Sequence, residues 1–598
     1  MRIVVCVKWV PVLAAMRFDP ATRRLVRDKV PGEPSAFDVR ALLAATALRA
    51  THGGEVVALT MGPPAARDAL VECLALGADR AIHLADPVLA GSDTLATARA
   101  LAAVLTREAA DLILLGRAST DAETGQVGPE VAELLGLPQA TVVRRLTVDP
   151  ASRAFVAERE TDDGFETVEG PLPAVVTAAE DLAEERFPTK AERQAAATKP
   201  IATLTAADVG LRAADVGAAG SPTWVAGLEP VEVARRGEIL SGESPEVLAD
   251  VLAKRLRELL ASVSSARPAL PPAGTRDGAP IWVVVETGPD GPRPVAAELL
   301  AKAAALTPQL GGRVEAIVLG APPPDAAALA AAGAERILVA ESRALVPYTT
   351  DAHAAVIADA IRVRAPRLVL FASTVQGRDL APRVAARLGL GLTGDAVDVD
   401  VDAEGRVRQH KPAFGGAVVA PILSHTRPEL VTVRPGLLAA AVPDPARRAV
   451  LERLPVPDVP ARVRVTATRA LTDATADLDE ADVVLGVGRG IGGPAGLAPI
   501  AELARRLGAG LAATREVTDA GWLPKQHQVG LTGRAIAPRV YVALAVSGAH
   551  EHIVGLRRAG VVVAVNKNPK APIFKAADLG VVTDYVPLLP LLEPVLRV

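Results

Sequence analysis

The hydrophobic residues of this chain fall into short runs that do not alternate with polar residues. Positions 3–7, 112–115 and 368–371 are examples. Runs of this kind are typical of strands that are buried on both faces of a parallel sheet. The segments between them are rich in Ala, Leu and Arg and have helical spacing. This alternation predicts an α/β fold built on doubly wound parallel sheets.

The same succession of segments occurs twice. The matched segments are 53–59 and 311–317, 76–82 and 332–338, 111–115 and 367–371, and 128–137 and 381–390. The first two pairs are separated by 256–258 positions. A period of this length is too long for a solenoid of short units and predicts two copies of one domain.

A third α/β unit is predicted after a Pro-rich stretch at 454–460. Its predicted strands are 482–487, 539–546, 561–565 and 580–582, and a helix is predicted at 497–507. Residues 261–280 are rich in Pro, Ser, Ala and Gly, which predicts a semi-extended tether between the two copies. The predicted division is a first domain at 1–262 with a docking segment near 184–200, a linker at 263–280, a domain at 281–460 and a C-terminal domain at 461–598.

Composition and charge narrow the classes of function. Half of the 598 residues are apolar, 22% are charged and the formal net charge is −4, which fits a globular chain and argues against nucleic acid as a partner. Aromatic residues make up only 3%, too few for a base-stacking surface. No segment approaches the roughly 20 apolar residues of a spanning helix, and the N-terminus lacks a signal-peptide pattern. We therefore expect a protein that is not integral to a membrane.

The two cysteines, Cys6 and Cys73, lie in a predicted strand and a predicted helix. We expect both to be small buried apolar residues. No spacing of Cys and His predicts a metal site. So few thiols fit a reducing compartment, which favours the cytoplasm.

A glycine-rich turn at 488–493 follows a predicted strand and satisfies the pattern GxGxxG. The dinucleotide fingerprint also needs an acidic residue about 20 positions later, and the sequence there is Gly-Ala-Gly-Leu-Ala at 508–512. An ordinary NAD site is therefore disfavoured. A phosphate-binding turn with Arg489 as the counter-charge is the better interpretation.

Three downstream segments carry a more specific signal. They are TREVTDAGWLP with QVGLTG at 514–533, SGAHEH at 547–552 and NKNPKAPIF at 566–574. In order, spacing and residue type they resemble the FAD-binding domain of electron transfer flavoprotein α subunits. Residues 1–262 resemble the β subunit of the same family through VCVK at 5–8, MGP at 61–63, LGADR at 76–80, TGQVGP at 124–129 and LPAVVT at 172–177. The resemblance implies a β-type half fused ahead of an α-type half in one chain.

The resemblance further implies one FAD in the C-terminal domain. Arg489, Ser547 and Gly548 would hold its pyrophosphate, which agrees with the anion affinity of a helix N-terminus after a glycine turn. Thr514 would bind the chain between the two ends of FAD, and Asn566 and Asp584 the adenosine end. The implied FAD-binding set is Arg489, Thr514, Val529, Gly530, Leu531, Thr532, Ser547, Gly548, Ala549, His550, Glu551, His552, Asn566, Asp584 and Tyr585.

Three of the implied residues would act at the flavin ring. Arg515 would lie over the ring, where a cation stabilises the negative charge of the one-electron-reduced form. Thr532 would donate to N5, and His552 would face O2. Leu531 stands where many relatives carry Gln, which removes a polar group from this loop.

In the first half, the resemblance implies a site for AMP or for a second FAD. AMP is bound there in ordinary members of the family and FAD in electron-bifurcating members. The implied residues are Cys6, Ser35, Phe37, Asp38, Met61, Gly116, Asp121, Thr124, Gly125, Gln126 and Val127. The sequence does not choose between the two nucleotides.

The favoured function is an electron carrier that takes electrons from a flavin dehydrogenase, as in fatty acid β-oxidation, and passes them on one at a time. A membrane quinone oxidoreductase is the kind of acceptor that the resemblance implies. Two alternatives stay open: NADH-dependent bifurcation with two flavins, and adenine-nucleotide binding without a redox role. The last is disfavoured because Arg515, Thr532 and His552 would then have no purpose.

The segment 184–193 aligns with the partner-recognition loop of the family. Where relatives place an apolar leucine anchor, this chain has Lys190. A lysine there predicts a partner with an acidic or shallow surface instead of an ordinary acyl-CoA dehydrogenase. A shifted register, with Phe187 as the anchor, is the alternative.

Overall fold

Three helix-covered sheets form the framework of the molecule. A computed structural model describes residues 1–12, 17–19, 24–26, 30–230, 235–262, 267–274, 278–288, 291–320, 326–414, 418–470, 478, 481–530, 533, 536–556 and 559–597. The predicted α/β class, with two duplicated units and a C-terminal α/β unit, is confirmed. Among the helices of these ranges, none is both long enough and apolar enough to cross a bilayer.

The first sheet has ten strands. In spatial order they are Ile201–Leu204, Arg80–Leu84, Glu55–Met61, Arg2–Cys6, Leu112–Gly116, Ala174–Ala178, Gln139–Asp149, Ala154–Thr161, Gly164–Pro171 and Arg464–Ala470. The first seven are parallel and the rest are antiparallel. The helices of this half are Ala36–His52, Arg67–Leu76, Thr94–Glu108, Val127–Leu134, Lys190–Ala196 and Gly217–Gly220. Cys6 and Cys73 are buried and unpaired, as expected.

The second sheet repeats the parallel part of the first. Its seven strands, in spatial order, are Val450–Arg453, Arg336–Glu341, Val314–Gly320, Ile281–Val285, Leu368–Ala372, Glu429–Val433 and Leu392–Ala396. Each occupies the place of its counterpart in the first sheet, in the same chain order. The covering helices are Val295–Leu310, Ala326–Ala331, Thr350–Arg364 and Val375–Leu388. The duplication inferred from the repeat is therefore a duplication of topology.

The third sheet has six parallel strands. In spatial order they are Glu238–Ser241, Leu579–Val582, Val561–Val565, Val540–Leu544, Val483–Val487 and Gly510–Ala513. Its helices are Pro494–Leu507, Arg515–Asp519, His550–Val554, Tyr585–Leu596 and Pro245–Ser262. The last helix places Leu252 and Leu256, both fully buried, in the core that contains Leu588 and Val542.

The predicted domain boundaries cut through these units, because each half contributes strands to the other. Residues 238–262, predicted to end the first domain, complete the third sheet instead. Arg464–Ala470, predicted to start the C-terminal domain, extends the first sheet beside Gly164–Pro171. A small antiparallel sheet combines both halves through Thr223–Val225, Glu229–Pro230, Val418–Ser424, Val407–Ala413 and Asp398–Val401. The structure also contains three two-stranded antiparallel sheets: Trp9–Pro11 with Gly32–Pro34, Arg17–Asp19 with Arg24–Val26, and Thr287–Gly288 with Gly291–Pro292.

The described part of the predicted linker is packed against the second unit. Ala269 forms a β-bridge with Val442, and Leu270 packs on the core of the second sheet. The N–H of Gly274 donates to Glu335 at 3.0 Å. Residues 267–274 are thus held by backbone contacts that a proline-rich composition does not reveal.

Candidate functional site

The predicted FAD residues gather at the carboxyl edge of the third sheet. Each follows the end of a parallel strand: Arg489 after Val483–Val487, Thr514 and Arg515 after Gly510–Ala513, Ser547 after Val540–Leu544, Asn566 after Val561–Val565, and Asp584 after Leu579–Val582. Parallel strands end at the same edge, so these loops lie on one side of the sheet. Ligands of open α/β sheets bind at this edge.

A crevice is expected where the strand order reverses beside Val483–Val487. From there the chain adds Gly510–Ala513 on one side and then Val540–Leu544 on the other. Two loops meet closely at this point, since a Cβ on Gly488 would overlap the carbonyl oxygen of Ala545. A Cβ on Gly490 would lie 3.0 Å from the Cβ of Ala545. The glycines of the 488–493 motif therefore permit this close approach.

Three residues at the crevice fit an anionic ligand. Arg489 and Ser547 are exposed on the two loops. Gly548 has φ +86°, and a Cβ on it would overlap the backbone nitrogen of Ile573. The helix Pro494–Leu507 begins just after the first loop, so its free N–H groups are on the same side. This arrangement suits the pyrophosphate of FAD.

Thr514 carries an unsatisfied polar atom at the same edge. Its side chain is buried, and its Oγ1 has no hydrogen-bond partner within the described residues. Its backbone N–H donates to the carbonyl of Val487 at 3.0 Å, which ties it to the first loop. Buried hydroxyls are nearly always hydrogen-bonded, so a ligand oxygen or nitrogen is expected here. The residues present therefore fit FAD.

Arg515 is held by two carboxylates in this structure. Its Nη2 lies 2.5 Å from Glu185 of the first half, and its Nε lies 3.2 Å from Asp519. Glu185 also pairs with Arg40 at 3.1 Å. The predicted position over a flavin ring would require Arg515 to share or release Glu185. This partner was missed from the sequence, because nothing in the chain near Arg515 points to residue 185.

His552 does not present a free nitrogen to the crevice, in contrast to the expectation that it faces flavin O2. Its ring is buried, its Nδ1 lies 2.9 Å from the carbonyl of Val529, and its Nε2 lies 2.9 Å from the hydroxyl of Tyr541. The carbonyl can only accept, so Nδ1 donates and Nε2 accepts from Tyr541. Gly486 leaves room for the Tyr541 hydroxyl, since a Cβ there would overlap it. His552 thus positions the loop that begins at Val529.

The protonation of His552 predicts a pH dependence of stability. Burial lowers the pKa of His552 to about 4, from 6.5 in the unfolded chain. The unfolded state therefore takes up a proton first, and stability is lost as pH falls from 6.5 toward 4. We expect His552 alone to cost about 2 kcal/mol of unfolding free energy between pH 7 and pH 5. Urea unfolding of the parent and of His552→Gln at both pH values measures this.

His52, an exposed residue, provides the control through His52→Gln, which should keep the pH dependence of the parent. His353 is also buried, its pKa is likewise lowered to about 4, and it contributes in the same direction. The unfolding free energy of His552→Gln should therefore still fall between pH 7 and pH 5, but by less than that of the parent. An identical decline in the parent and in His552→Gln would contradict the assignment.

Three other implied FAD residues, Asn566, Asp584 and Tyr585, make hydrogen bonds within the protein. The Asn566 amide donates to the carbonyl of Val546 at 2.8 Å and so joins two loops of the edge. Asp584 caps the helix Tyr585–Leu596 by accepting the N–H of Val586 at 3.0 Å, and Tyr585 is buried with its hydroxyl 3.4 Å from the carbonyl of Ile491.

The loop after Val529 and the helix His550–Val554 are described in part. Gly530 has φ +137°, and a Cβ on it would overlap the carbonyl oxygen of Glu551. Val529 is buried, whereas Ala549 and Glu551 are exposed. The predicted residues Leu531 and Thr532 lie outside the described residues, as does the side chain of His550.

The predicted nucleotide residues of the first half also gather at a carboxyl edge. Cys6 and Gly116 end two adjacent strands, and Asp38 joins them: it accepts the N–H of Lys8 at 2.8 Å and that of Gly116 at 2.7 Å. Burial raises the pKa of Asp38 to about 7, against the effect of these two donors. Met61 ends the neighbouring strand. The edge is therefore held together by one buried carboxyl group.

The loop at 116–127 completes this second candidate site. Both carboxylate oxygens of Asp121 accept from Lys8, at 2.8 and 2.9 Å. Ser35 is fully buried, and its Oγ has no partner among the residues described. Phe37 is buried beneath the guanidinium of Arg117. Like the hydroxyl of Thr514, the hydroxyl of Ser35 is buried without a hydrogen-bond partner among the described residues.

The end of the same loop is joined to the second half. Thr124 and Gly125, with φ +66°, lead into the helix that starts at Val127. The Gln126 amide donates to the carbonyl of Leu392 at 3.3 Å and accepts from Thr94 at 2.7 Å. Gln126 is thus engaged within the protein.

Comparison with known proteins agrees with this architecture. Residues 22–209 and 281–459 match the electron transfer flavoprotein domain, and residues 477–557 match the electron transfer flavoprotein FAD-binding domain.

Individual relatives match over about half of the chain. The electron transfer flavoprotein subunit alpha of Thermoanaerobacterium thermosaccharolyticum is 38% identical over 316 residues, which cover 52% of this chain and 96% of the relative. Protein FixB of Rhizobium meliloti is 35% identical over 324 residues, 53% of this chain and 92% of the relative. The subunit alpha of Mycobacterium leprae is 37% identical over 311 residues, 52% of this chain and 95% of the relative. The duplicated domain, the FAD-binding domain and these matches together show that the chain belongs to the electron transfer flavoprotein family.

Proposed function

We propose that the protein is an electron carrier that binds one FAD in the crevice of the third sheet. It would accept electrons from a flavin dehydrogenase and pass them one at a time to an acceptor such as a membrane quinone oxidoreductase. The observation that carries this proposal is the buried Thr514 hydroxyl, which has no hydrogen-bond partner among the described residues and lies at the same sheet edge as the exposed Arg489. FAD supplies the one-electron chemistry when it is bound.

We further propose that the chain unites a β-type half with an α-type half and works in the cytoplasm. The exchange of Glu238–Ser241 and Arg464–Ala470 between the units supports the first point, since each half completes a sheet of the other. The presence of only two cysteines, both unpaired, supports the second. The first half would hold AMP or a second FAD between Asp38 and the loop 116–127.

The flavin content of the purified protein tests this function. One FAD per chain, with AMP as the second nucleotide, is the expected result for a simple electron carrier. Two FAD per chain would instead support the bifurcating alternative and predict reduction by NADH. A protein that binds adenine nucleotides but no flavin would refute electron transfer.

Arg515→Ala is expected to lower the potential of the first electron while FAD stays bound. A cation near the ring stabilises the charge added on reduction, and its loss should shift the potential by about 60 mV, or about 1.4 kcal/mol. Redox titration followed by absorbance measures the shift. Glu185→Gln is the matched variant: it removes one of the two carboxylates that hold Arg515 and should raise the potential or leave it unchanged. Equal potentials in Arg515→Ala and the parent would show that Arg515 has a structural role only.

We propose that Phe187, instead of Lys190, is the apolar anchor for the electron donor. Phe187 is 77% exposed, yet the chain on both sides of it is fixed. Before it, Arg186 donates to the carbonyl of Leu76 at 3.1 Å, and after it, the carbonyl of Pro188 accepts from Arg193 at 2.9 Å. Lys190 begins a helix and is also exposed. An exposed aromatic ring on a segment whose neighbouring residues are held in place suits an interface anchor.

Phe187→Ala should therefore weaken docking by about 1.5–3 kcal/mol, the contribution of one large apolar side chain. Electron transfer from a panel of flavin dehydrogenases, including a medium-chain acyl-CoA dehydrogenase, measures the effect as a rise in KM for the carrier. Lys190→Leu is the comparison variant and should have a smaller effect. If Lys190→Leu alone opens transfer from the acyl-CoA dehydrogenase, Lys190 is the determinant and the partner of the parent has a different surface.

A further inference from the structure

Charged side chains gather where the second half meets the loop 116–127 of the first half. They are Glu123 on that loop and Arg378, Asp395, Lys411 and Arg434 on the second half. Asp395 accepts from Arg378 at 2.7 Å and from Arg434 Nε at 3.1 Å. Arg434 lies 3.8 Å from Glu123. In the described part of this junction, three cations thus face two carboxylates.

The side-chain ammonium of Lys411 is buried in this cluster without a hydrogen bond to any described residue. The residue is only 8% exposed, and its Nζ has no partner among the described residues. Asp395 is already engaged by two arginines, and the Glu123 carboxylate lies 3.8 Å from Arg434. A buried ammonium needs both charge compensation and hydrogen-bond acceptors. The cluster therefore lacks one anionic group.

The unpartnered ammonium belongs to a strand that touches the nucleotide loop. Phe414, three residues after Lys411, donates its N–H to the carbonyl of Asp121 at 3.0 Å. Gly394, next to Asp395, approaches the same loop, since a Cβ on it would lie 3.1 Å from the carbonyl oxygen of Thr124. The cationic cluster and the loop thus meet at one junction between the halves.

We infer that Lys411 binds the phosphate of the nucleotide held by the first half, so that the second half completes this site. The inference rests on the nucleotide site proposed above and deepens it. A phosphate supplies the negative charge and the acceptor oxygens that Nζ lacks. A neutral part of a nucleotide would leave the ammonium uncompensated. The ligand class is therefore a nucleoside phosphate: AMP, or the phosphate-bearing part of a second FAD.

Calorimetric titration of AMP and adenosine into the full-length chain, after removal of bound nucleotide with charcoal, tests this role. Lys411→Met keeps the length of the side chain and removes its charge. We expect AMP to bind Lys411→Met at least tenfold more weakly than the parent, and adenosine to bind both equally because it has no phosphate. Lys302→Met is the matched control, since Lys302 lies on the same half and pairs with Asp398 at 2.6 Å. It should leave both affinities unchanged.

A pH series gives a second readout. Burial lowers the pKa of Lys411 to about 8, so the affinity of the parent for AMP should fall between pH 7.5 and pH 9, and that of Lys411→Met should not. The charged groups that face Lys411 are Glu123, Arg378, Asp395 and Arg434. The pKa of Glu123 is also shifted, in its case upward by burial, so Glu123→Gln in the same series isolates its contribution.

The outcomes separate this role from the nucleotide site itself. Equal affinity of Lys411→Met and the parent for AMP would overturn the role of Lys411 and leave the site in place. If Lys411→Met loses affinity for AMP and for adenosine by the same factor, the role of Lys411 at the phosphate is likewise overturned and the site stays in place. A parent that binds neither of them, nor ADP, would overturn the nucleotide site and the role of Lys411 together.

Discussion

Arg489→Ala is expected to weaken FAD binding to the full chain by about 1.5–3 kcal/mol, roughly 10–150-fold in Kd. Arg489 begins the turn Arg489–Ile491 directly after a buried strand, and it is exposed at the crevice. In the described part of the chain, no carboxylate pairs with it. Its guanidinium is therefore available for a phosphate, and the substitution removes a charge-assisted contact without breaking one inside the protein.

Arg505→Ala is the matched control for this experiment. Arg505 is exposed on the adjoining helix Pro494–Leu507 and pairs with Glu502 at 2.7 Å. Arg505→Ala changes the net charge by the same amount as Arg489→Ala. Arg505 lies in the last turn of the helix, away from the crevice. Titration of FAD into apoprotein, followed by quenching of flavin fluorescence, gives both affinities. Equal retention of FAD by Arg489→Ala and the parent would remove Arg489 from the phosphate site.

The sequence predicted the strands of the third sheet where apolar residues are consecutive and β-branched. The strand Val561–Val565 matches its prediction, and Val483–Val487 and Val540–Leu544 differ only at their ends. Gly510–Ala513 was missed, because Gly and Ala are depleted in strands and none of its residues is β-branched. Its place in the sheet is fixed by pairing with Val483–Val487, a contact that local sequence does not encode.

The exchange of segments between the halves could not be predicted for the same reason. The helix Pro245–Ser262 has an apolar face, which predicts burial but not the sheet against which it packs. Likewise Glu238–Ser241 pairs with Leu579–Val582, more than 300 positions away in the chain. Pairings over such separations depend on tertiary geometry.

The gathering of Arg489, Thr514, Ser547, Asn566 and Asp584 at one edge was predictable, because each follows a strand and parallel strands share an edge. Their partners were not predictable. Arg515 is bound by Glu185 from the other half, and His552 is held by Tyr541. The contact between Tyr541 and His552 could have been anticipated from the sequence. A tyrosine within a buried strand needs a hydrogen-bond partner for its hydroxyl, and a histidine nearby in the chain can supply it.

A fully buried arginine, Arg383, lies at the junction between the halves. Arg383 of the second half places its Nε 2.9 Å from Glu133 of the first half and its Nη2 3.0 Å from Asp351. It also donates to the carbonyl of Leu137 at 3.1 Å. Removing one member of a buried ion pair leaves the other charge uncompensated, which typically costs 3–5 kcal/mol.

Arg383→Ala is therefore expected to lower the free energy of unfolding by about 3 kcal/mol, at the low end of that range, because each carboxylate keeps one partner. Glu133 retains Arg387 at 2.6 Å, and Asp351 retains Arg462. Urea unfolding measures the loss. Arg383→Met separates the effect of charge from that of volume, because it keeps most of the side-chain volume. If the lost charge dominates, both variants lose the same unfolding free energy, whereas a smaller loss in Arg383→Met would assign the effect to packing.

Arg406→Ala is the exposed counterpart, since Arg406 also contacts two carboxylates, Asp402 and Glu404, but is 53% exposed. It should change stability by less than about 1 kcal/mol, because solvent screens its ion pairs. A loss in Arg383→Ala no larger than in Arg406→Ala would contradict a junction that depends on the buried charge.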